Sequence, residues 1–134
     1  MHVNFLAVLV TGIVIFVLGG LWYSPVLFAR RWVALMGKTE AEMKAAGASP
    51  LTFLAVFACG LLTSWALAVI VQHFAYPSLL RGAEIGALCW LGLAGATSFG
   101  SALFEMKPRA LWLIDSGYNL VCFVIAGMIL SVWR

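Results

Sequence analysis

Charge is what this sequence has least of. Its 134 residues include eight Lys or Arg and five Asp or Glu, so 10% are charged, where a soluble globular domain carries about 25%. That is too little polar surface to coat a globule in water. Histidine is nearly missing as well, with only His2 and His73. No H-E-x-x-H and no G-x-S-x-G occurs, so the zinc-protease and serine-hydrolase patterns are absent. The three cysteines, Cys59, Cys89 and Cys122, stand singly inside apolar stretches without a C-x-x-C pair. An odd, dispersed set argues against a disulfide framework or a zinc site and leaves them as packing residues. Gly37-Lys38-Thr39 has the tail of a phosphate-binding loop, but Trp32 stands where its leading glycine belongs. No enzyme activity, metal or cofactor is therefore expected.

Long apolar runs fill the space. Hydrophobic residues make up 64% of the chain and the mean hydropathy is +1.07. Four segments, 3–22, 51–74, 83–104 and 111–133, reach the roughly 20 residues that a helix needs to cross about 30 Å of hydrocarbon. The expected fold is all-α: one integral membrane domain over 1–134, a four-helix bundle with the lipid bilayer as its first partner. The first run has no Lys or Arg ahead of it and no convincing cleavage site, so it reads as a retained helix rather than a signal peptide.

Although the net charge is +3, the basic residues lie scattered between apolar blocks. They suit orientation in the membrane better than binding of nucleic acid, which is not expected as a partner. Arg30, Arg31, Lys38 and Lys44 fall between the first two spans, and Lys107 and Arg109 between the last two. Arg81 and Arg134 are the basic residues of the opposite side. The positive-inside rule then places the 24–50 segment in the cytosol and both termini outside it, in a bacterial inner (plasma) membrane. Trp22, Tyr23 and Trp112 would anchor the inner interface, and Tyr76 and Trp133 the outer one.

Between the first two spans the chain changes character abruptly, in the stretch Gly19 to Trp32, GGLWYSPVLFARRW. Pro25 keeps Ser24 out of helical dihedrals, so the first span should end near Tyr23. Ser24 as N-cap and Pro25 as first helical residue would start a second helix at once. In it Val26, Phe28, Trp32, Val33, Leu35 and Met36 share one side and Arg30, Arg31 and Lys38 the other, which predicts an interfacial amphipathic helix with Arg30 and Arg31 toward lipid phosphates. Thr39 and Glu42 have capping-box spacing, and a short polar helix is expected from there to Gly47.

With Trp22-Tyr23-Ser24-Pro25, Phe28 and Trp32 in one place, and Asp115 with Gly117-Tyr118 some eighty residues later, the sequence resembles the bacterial and fungal membrane proteins grouped as domain of unknown function family 1761. The resemblance covers nearly the whole chain. It departs at Ala29, where many relatives are expected to carry glycine. It implies a four-helix fold and no settled activity.

The polar residues at membrane depth are the candidates for a site. Asp115 lies about one turn into the last span, with Asn119 at i+4 on the same side and Ser116 and Tyr118 beside them. A carboxylate there is costly and must face protein or water. Ser101 and Glu105 on the third span and Tyr23 and Ser24 on the first end at the same membrane face. The expected cluster is Asp115, Asn119, Tyr118, Glu105, Ser101, Tyr23 and Ser24, as a ligand or ion site. The competing structural role has Asp115 near a helix N-terminus, paired with Lys107, Arg109 or Arg31 and fixing helix packing. A second candidate, His73 with Glu84, lies at the opposite face as a proton-sensitive pair. Gly82-x-x-x-Gly86, continued by Gly92, Ala96 and Gly100, is a strip for close helix approach, either within the chain or to a second copy. The first expectation for function is a structural or accessory membrane protein, acting as a homodimer or in a larger membrane complex. A small-solute, ion or proton pathway using Asp115 is the alternative, and a lipid- or quinone-acting enzyme a distant third.

Overall fold

The computed structural model describes residues 2–39, 41–42 and 49–134. Five helices have both ends among them: α1 (Phe5–Trp22), α2 (Ala29–Leu35), α3 (Pro50–Val71), α4 (Leu79–Phe104) and α5 (Arg109–Val132). There is no strand among the described residues. α1, α3, α4 and α5 are long and apolar enough to cross a membrane. All four prolines fall between helices or in a first turn, where a missing amide hydrogen does least damage.

Short side chains start three of these helices. Asn4 accepts the Ala7 amide at 3.1 Å, Ser49 the Thr52 amide at 3.3 Å and Ser78 the Arg81 amide at 3.0 Å, each satisfying an orphan donor of the first turn. The Ser78 cap explains why α4 begins four residues before the expected position 83. The other span limits lie within three residues of expectation.

The α2 region corrects the reading of Ser24. Residues 23–28 form successive turns rather than helix, and α2 starts only at Ala29. Phe28 donates its amide to the Trp22 carbonyl, and Leu27 and Ala29 donate theirs to the Ser24 carbonyl. The Ser24 hydroxyl donates back to the Leu21 carbonyl at 2.6 Å. Ser24 thus closes the end of α1 instead of capping a new helix, because a carbonyl freed at the α1 C-terminus is the nearer acceptor. Thr39 Oγ1 accepts the Glu42 amide at 3.1 Å, as the capping-box spacing predicts. The remainder of the expected helix through Gly47 lies outside the described residues.

The bundle is tight at one end and splayed at the other. The buried core, which includes Ala7, Val8, Leu67, Val71, Ile85, Ala126 and Leu130, gathers at the end opposite Tyr23. There α4 lies backbone to backbone on α5. A Cβ on Gly82 would strike the Gly127 carbonyl, and one on Gly86 the Phe123 carbonyl. The first half of the small-residue strip is therefore used inside the chain. Arg134 ties off this end by donating to the Val71 and Phe74 carbonyls at 2.8 and 3.0 Å.

Midway along α4 the helix widens into a π-helical turn, Trp90–Gly95. The Trp90 indole lies across Gly95 and donates to the Ser116 carbonyl on α5 at 3.0 Å. Beyond it Trp112 and Phe99 stand between the two helices, ring centroids 4.8 Å apart. These bulky rings hold the second half of α4 off α5, opening the bundle at the Tyr23 end.

Candidate functional site

The two distant motifs meet at the splayed end. The Tyr23 hydroxyl donates to Asp115 Oδ1 at 2.7 Å, and the Trp22 indole donates to the Ile114 carbonyl at 2.9 Å. Tyr118 reaches back across Gly19 and donates to the Ile15 carbonyl at 2.7 Å. Three α1–α5 hydrogen bonds thus clamp the end of α1 to α5. Aromatic packing extends the clamp to the connector: Trp22 lies 4.8 Å from Phe28, and Tyr23 lies 5.5 Å from Trp32. Rings at these separations attract one another beyond their area burial. The clamp also turns Trp22 and Tyr23 inward, away from the lipid-anchor role expected of them. Burial, and then the hydrogen bond to Asp115, raise the Tyr23 phenol above its ordinary value, so it stays a donor.

Asp115 has no ion pair among the described residues. Lys107, one expected partner, pairs with Glu105 at 2.8 Å, and that carboxylate holds its ammonium above the usual lysine value. The turn between α4 and α5 sets this pair in place. Met106 sits at φ 54°, with its amide on the Leu103 carbonyl and that of Lys107 on the Ala102 carbonyl, a Schellman closure normally served by glycine. Met106→Gly is expected to raise stability by about 0.5–1 kcal/mol, read as thermal unfolding in detergent, because the left-handed conformation costs an L-residue about 1–2 kcal/mol before the extra freedom of unfolded glycine is counted. A lower melting temperature would contradict it.

Two cavities open at this end. A polar cleft of about 300 Å³ separates the second half of α4 from α5, with Ser101, Glu105, Lys107, Asp115, Ser116 and Asn119 among its walls. An apolar groove of about 560 Å³ runs between α1, α3 and α5, with Tyr23, Trp32, Tyr118 and Asn119 at its polar rim. Of the expected cluster, Ser101, Glu105, Asp115 and Asn119 share the cleft, Tyr23 binds Asp115 from the α1 side, and Tyr118 faces α1. Ser24 is spent on the Leu21 carbonyl. Ser98 and Trp112 join the site without having been expected there, and Ser116, expected beside Asp115, lines it too. Ser98 accepts the Trp112 indole at 3.0 Å and donates to the Gly95 carbonyl at 3.1 Å. Ser116 is 4% exposed and its hydroxyl has no hydrogen-bond partner among the described residues. All three lie beside the π turn of α4, which bonds to Ser98 through the Gly95 carbonyl and to the Ser116 carbonyl through Trp90 and leaves no mark in hydropathy.

At the opposite end the expected His73–Glu84 pair does not form. Glu84 pairs with Arg81 at 3.5 Å, one turn back on its own helix; spacing i, i+3 makes that cation nearer than anything beyond the loop. Arg30 and Arg31 are exposed on α2. No group of three or more His, Cys, Asp or Glu placed to hold a metal occurs among the described residues.

The cleft offers hydroxyls, an amide and carboxylates to a polar ligand. No curated protein and no solved structure matches the chain. A family model matches residues 6–131, taking in both motifs that meet in the clamp, and the chain belongs to the family described as protein of unknown function, DUF1761.

Proposed function

We propose that this chain is an integral membrane protein of accessory type, acting by association with a second copy or a larger membrane complex rather than by turnover. The observation that carries this reading is the division of the small-residue strip. Gly82 and Gly86 are consumed against α5, whereas a Cβ on Gly92 or Gly100 would meet nothing within 4 Å among the described residues and Ala96 between them is exposed. Small residues facing outward on a span admit another helix backbone. A pathway across the membrane is less well supported, since the Gly82, Gly86 and Gly127 contacts close the bundle beyond the cleft.

Gly92→Leu is expected to keep the monomer folded and to reduce its association, measured as mass in nanodiscs and as co-purification. Wild-type protein that is monomeric and partner-free in lipid would overturn the accessory reading.

The proposed setting is a bacterial inner membrane with both termini outside the cytosol. Arg30, Arg31, Lys38, Lys107 and Arg109 stand at the splayed end, against Arg81 and Arg134 at the other, which supports that orientation. α2 is proposed to lie in the interface, with Arg30 and Arg31 toward lipid phosphates. Phe28, Trp32, Val33 and Leu35 are partly covered while both arginines are exposed, as an interfacial helix requires. A reporter inserted after Lys38 should be active only in the cytosol and one following Arg134 only in the periplasm; the reverse pattern would invert the topology.

A further inference from the structure

The polar cleft and the apolar groove share one residue. Asn119 lines both and is exposed, about 15 Å along α5 from Arg109 at 1.5 Å per residue. An uncovered amide at that depth faces the middle of the proposed bilayer, where lipid offers no hydrogen-bonding partner. On its α1 and α3 side lies the groove, walled by Ile15, Phe16, Val56 and Phe123. On its α4 side lies the cleft, where the buried Ser116 hydroxyl has no partner among the described residues.

The cleft's charges are of both signs: Asp115 and Glu105 against Lys107. The Tyr23 hydrogen bond occupies Oδ1 of Asp115. An anionic head would bring its charge toward a carboxylate that has no ion pair among the described residues. A quaternary ammonium head has no N–H to give to the carboxylate or the hydroxyls. A primary ammonium supplies three donors, and a phosphate next to it would share the Lys107 ammonium at the cleft mouth with Glu105, which pairs with it at 2.8 Å.

We propose that cleft and groove form one site for an aminophospholipid, its ammonium directed to Asp115 in the cleft, its phosphate toward Lys107 and one acyl chain in the groove past Asn119. The site rests on the membrane placement proposed above. An amphiphile fits where neither a soluble solute nor a plain hydrocarbon does, because the polar and apolar cavities meet at one residue and open at the end where the headgroup region would lie.

The test is native mass spectrometry of the full chain in detergent, titrated separately with palmitoyl-oleoyl phosphatidylethanolamine, phosphatidylglycerol and phosphatidylcholine. The ethanolamine lipid should be retained as a one-to-one adduct with affinity about tenfold above the other two. Two variants leave the Tyr23–Asp115 bond untouched. Ser101→Leu, which fills the cleft, should abolish the preference among heads. Val56→Trp, which fills the groove, should weaken retention of all three lipids, with helicity by circular dichroism unchanged in both. Equal retention of the three lipids by the wild type, or wild-type behaviour of both variants, would overturn the site and leave the membrane placement standing. Protein that is soluble and monodisperse without any amphiphile would overturn both.

Discussion

Gly86→Leu is expected to prevent α4 from closing on α5. The position has no flexible neighbour to give way: a Cβ there would strike the Phe123 carbonyl and lie 3.1 Å from the Val124 Cα. Ordinary overpacking of a core costs about 1–3 kcal/mol through side-chain adjustment. Here two helix backbones must separate, and the buried face of Ile85, Cys89, Ala126 and Leu130 separates with them, so the expected loss exceeds about 4 kcal/mol, in the range reserved for severe mechanisms. In detergent the variant should lose cooperative thermal unfolding or aggregate. Gly92→Leu, where nothing lies within 4 Å, serves as the control and should melt close to the wild type. The contrast is demanding because the two glycines are equivalent in sequence, both belonging to one strip of small residues. If Gly86→Leu melts within a degree or two of Gly92→Leu, the backbone contact between α4 and α5 is wrong.

Tyr23→Phe should produce the next largest effect. It removes the donor to Asp115 Oδ1 and leaves a carboxylate facing the protein interior with one hydrogen bond fewer. Hydrogen bonds to charged groups contribute about 1.5–3 kcal/mol, and an unsatisfied partner adds its own desolvation cost. Asp115→Asn should cost less, since an amide oxygen can still accept from the Tyr23 hydroxyl. A double-mutant cycle of Tyr23→Phe with Asp115→Ala, which removes the acceptor altogether, should return a coupling of about 1 kcal/mol or more, as residues in direct contact do. Because Tyr23 packs on Trp32 and Tyr118, loss of the bond should also loosen the connector, seen as faster proteolysis at Arg30 or Arg31. Additive effects of the two substitutions would show that the motifs do not meet as described.

Much of the architecture could be read from local composition. Four apolar runs gave four helices with ends within a few residues, since hydropathy over a window of about 20 residues is a property of the segment itself. Caps were legible for the same reason: Thr39 takes the Glu42 amide three residues on. Ser24 shows where local rules compete. Its hydroxyl had two local acceptors or donors within reach, and the carbonyl behind it took precedence over the amides ahead.

Asp115 was legible as an anomaly, a lone carboxylate inside an apolar run, and Tyr23 stood among its expected neighbours. The choice of Tyr23 as its hydrogen-bond partner was not legible. Lys107, Arg109, Arg31 and Tyr23 were equally eligible by position along the helices, and only the rotation of each helix about its axis selects one. Likewise the cleft lies beside the π turn at Trp90–Gly95 and the Trp112 ring packed on Trp90, neither of which changes the hydropathy profile.

What the sequence by itself determined is the number of helices long and apolar enough to cross a membrane, their lengths, the ends at which the cations collect and the family. What only the tertiary structure decided is which faces touch: that Gly82 and Gly86 are spent on α5 while Gly92 is left open among the described residues, that Tyr23 holds Asp115, and that Ser116 is buried with no partner among them. The physical reason is that burial of apolar segments is nearly indifferent to rotation about the helix axis. Hydrogen bonds and backbone contacts, with ranges of about 3–4 Å, exist in one rotation and vanish in the next.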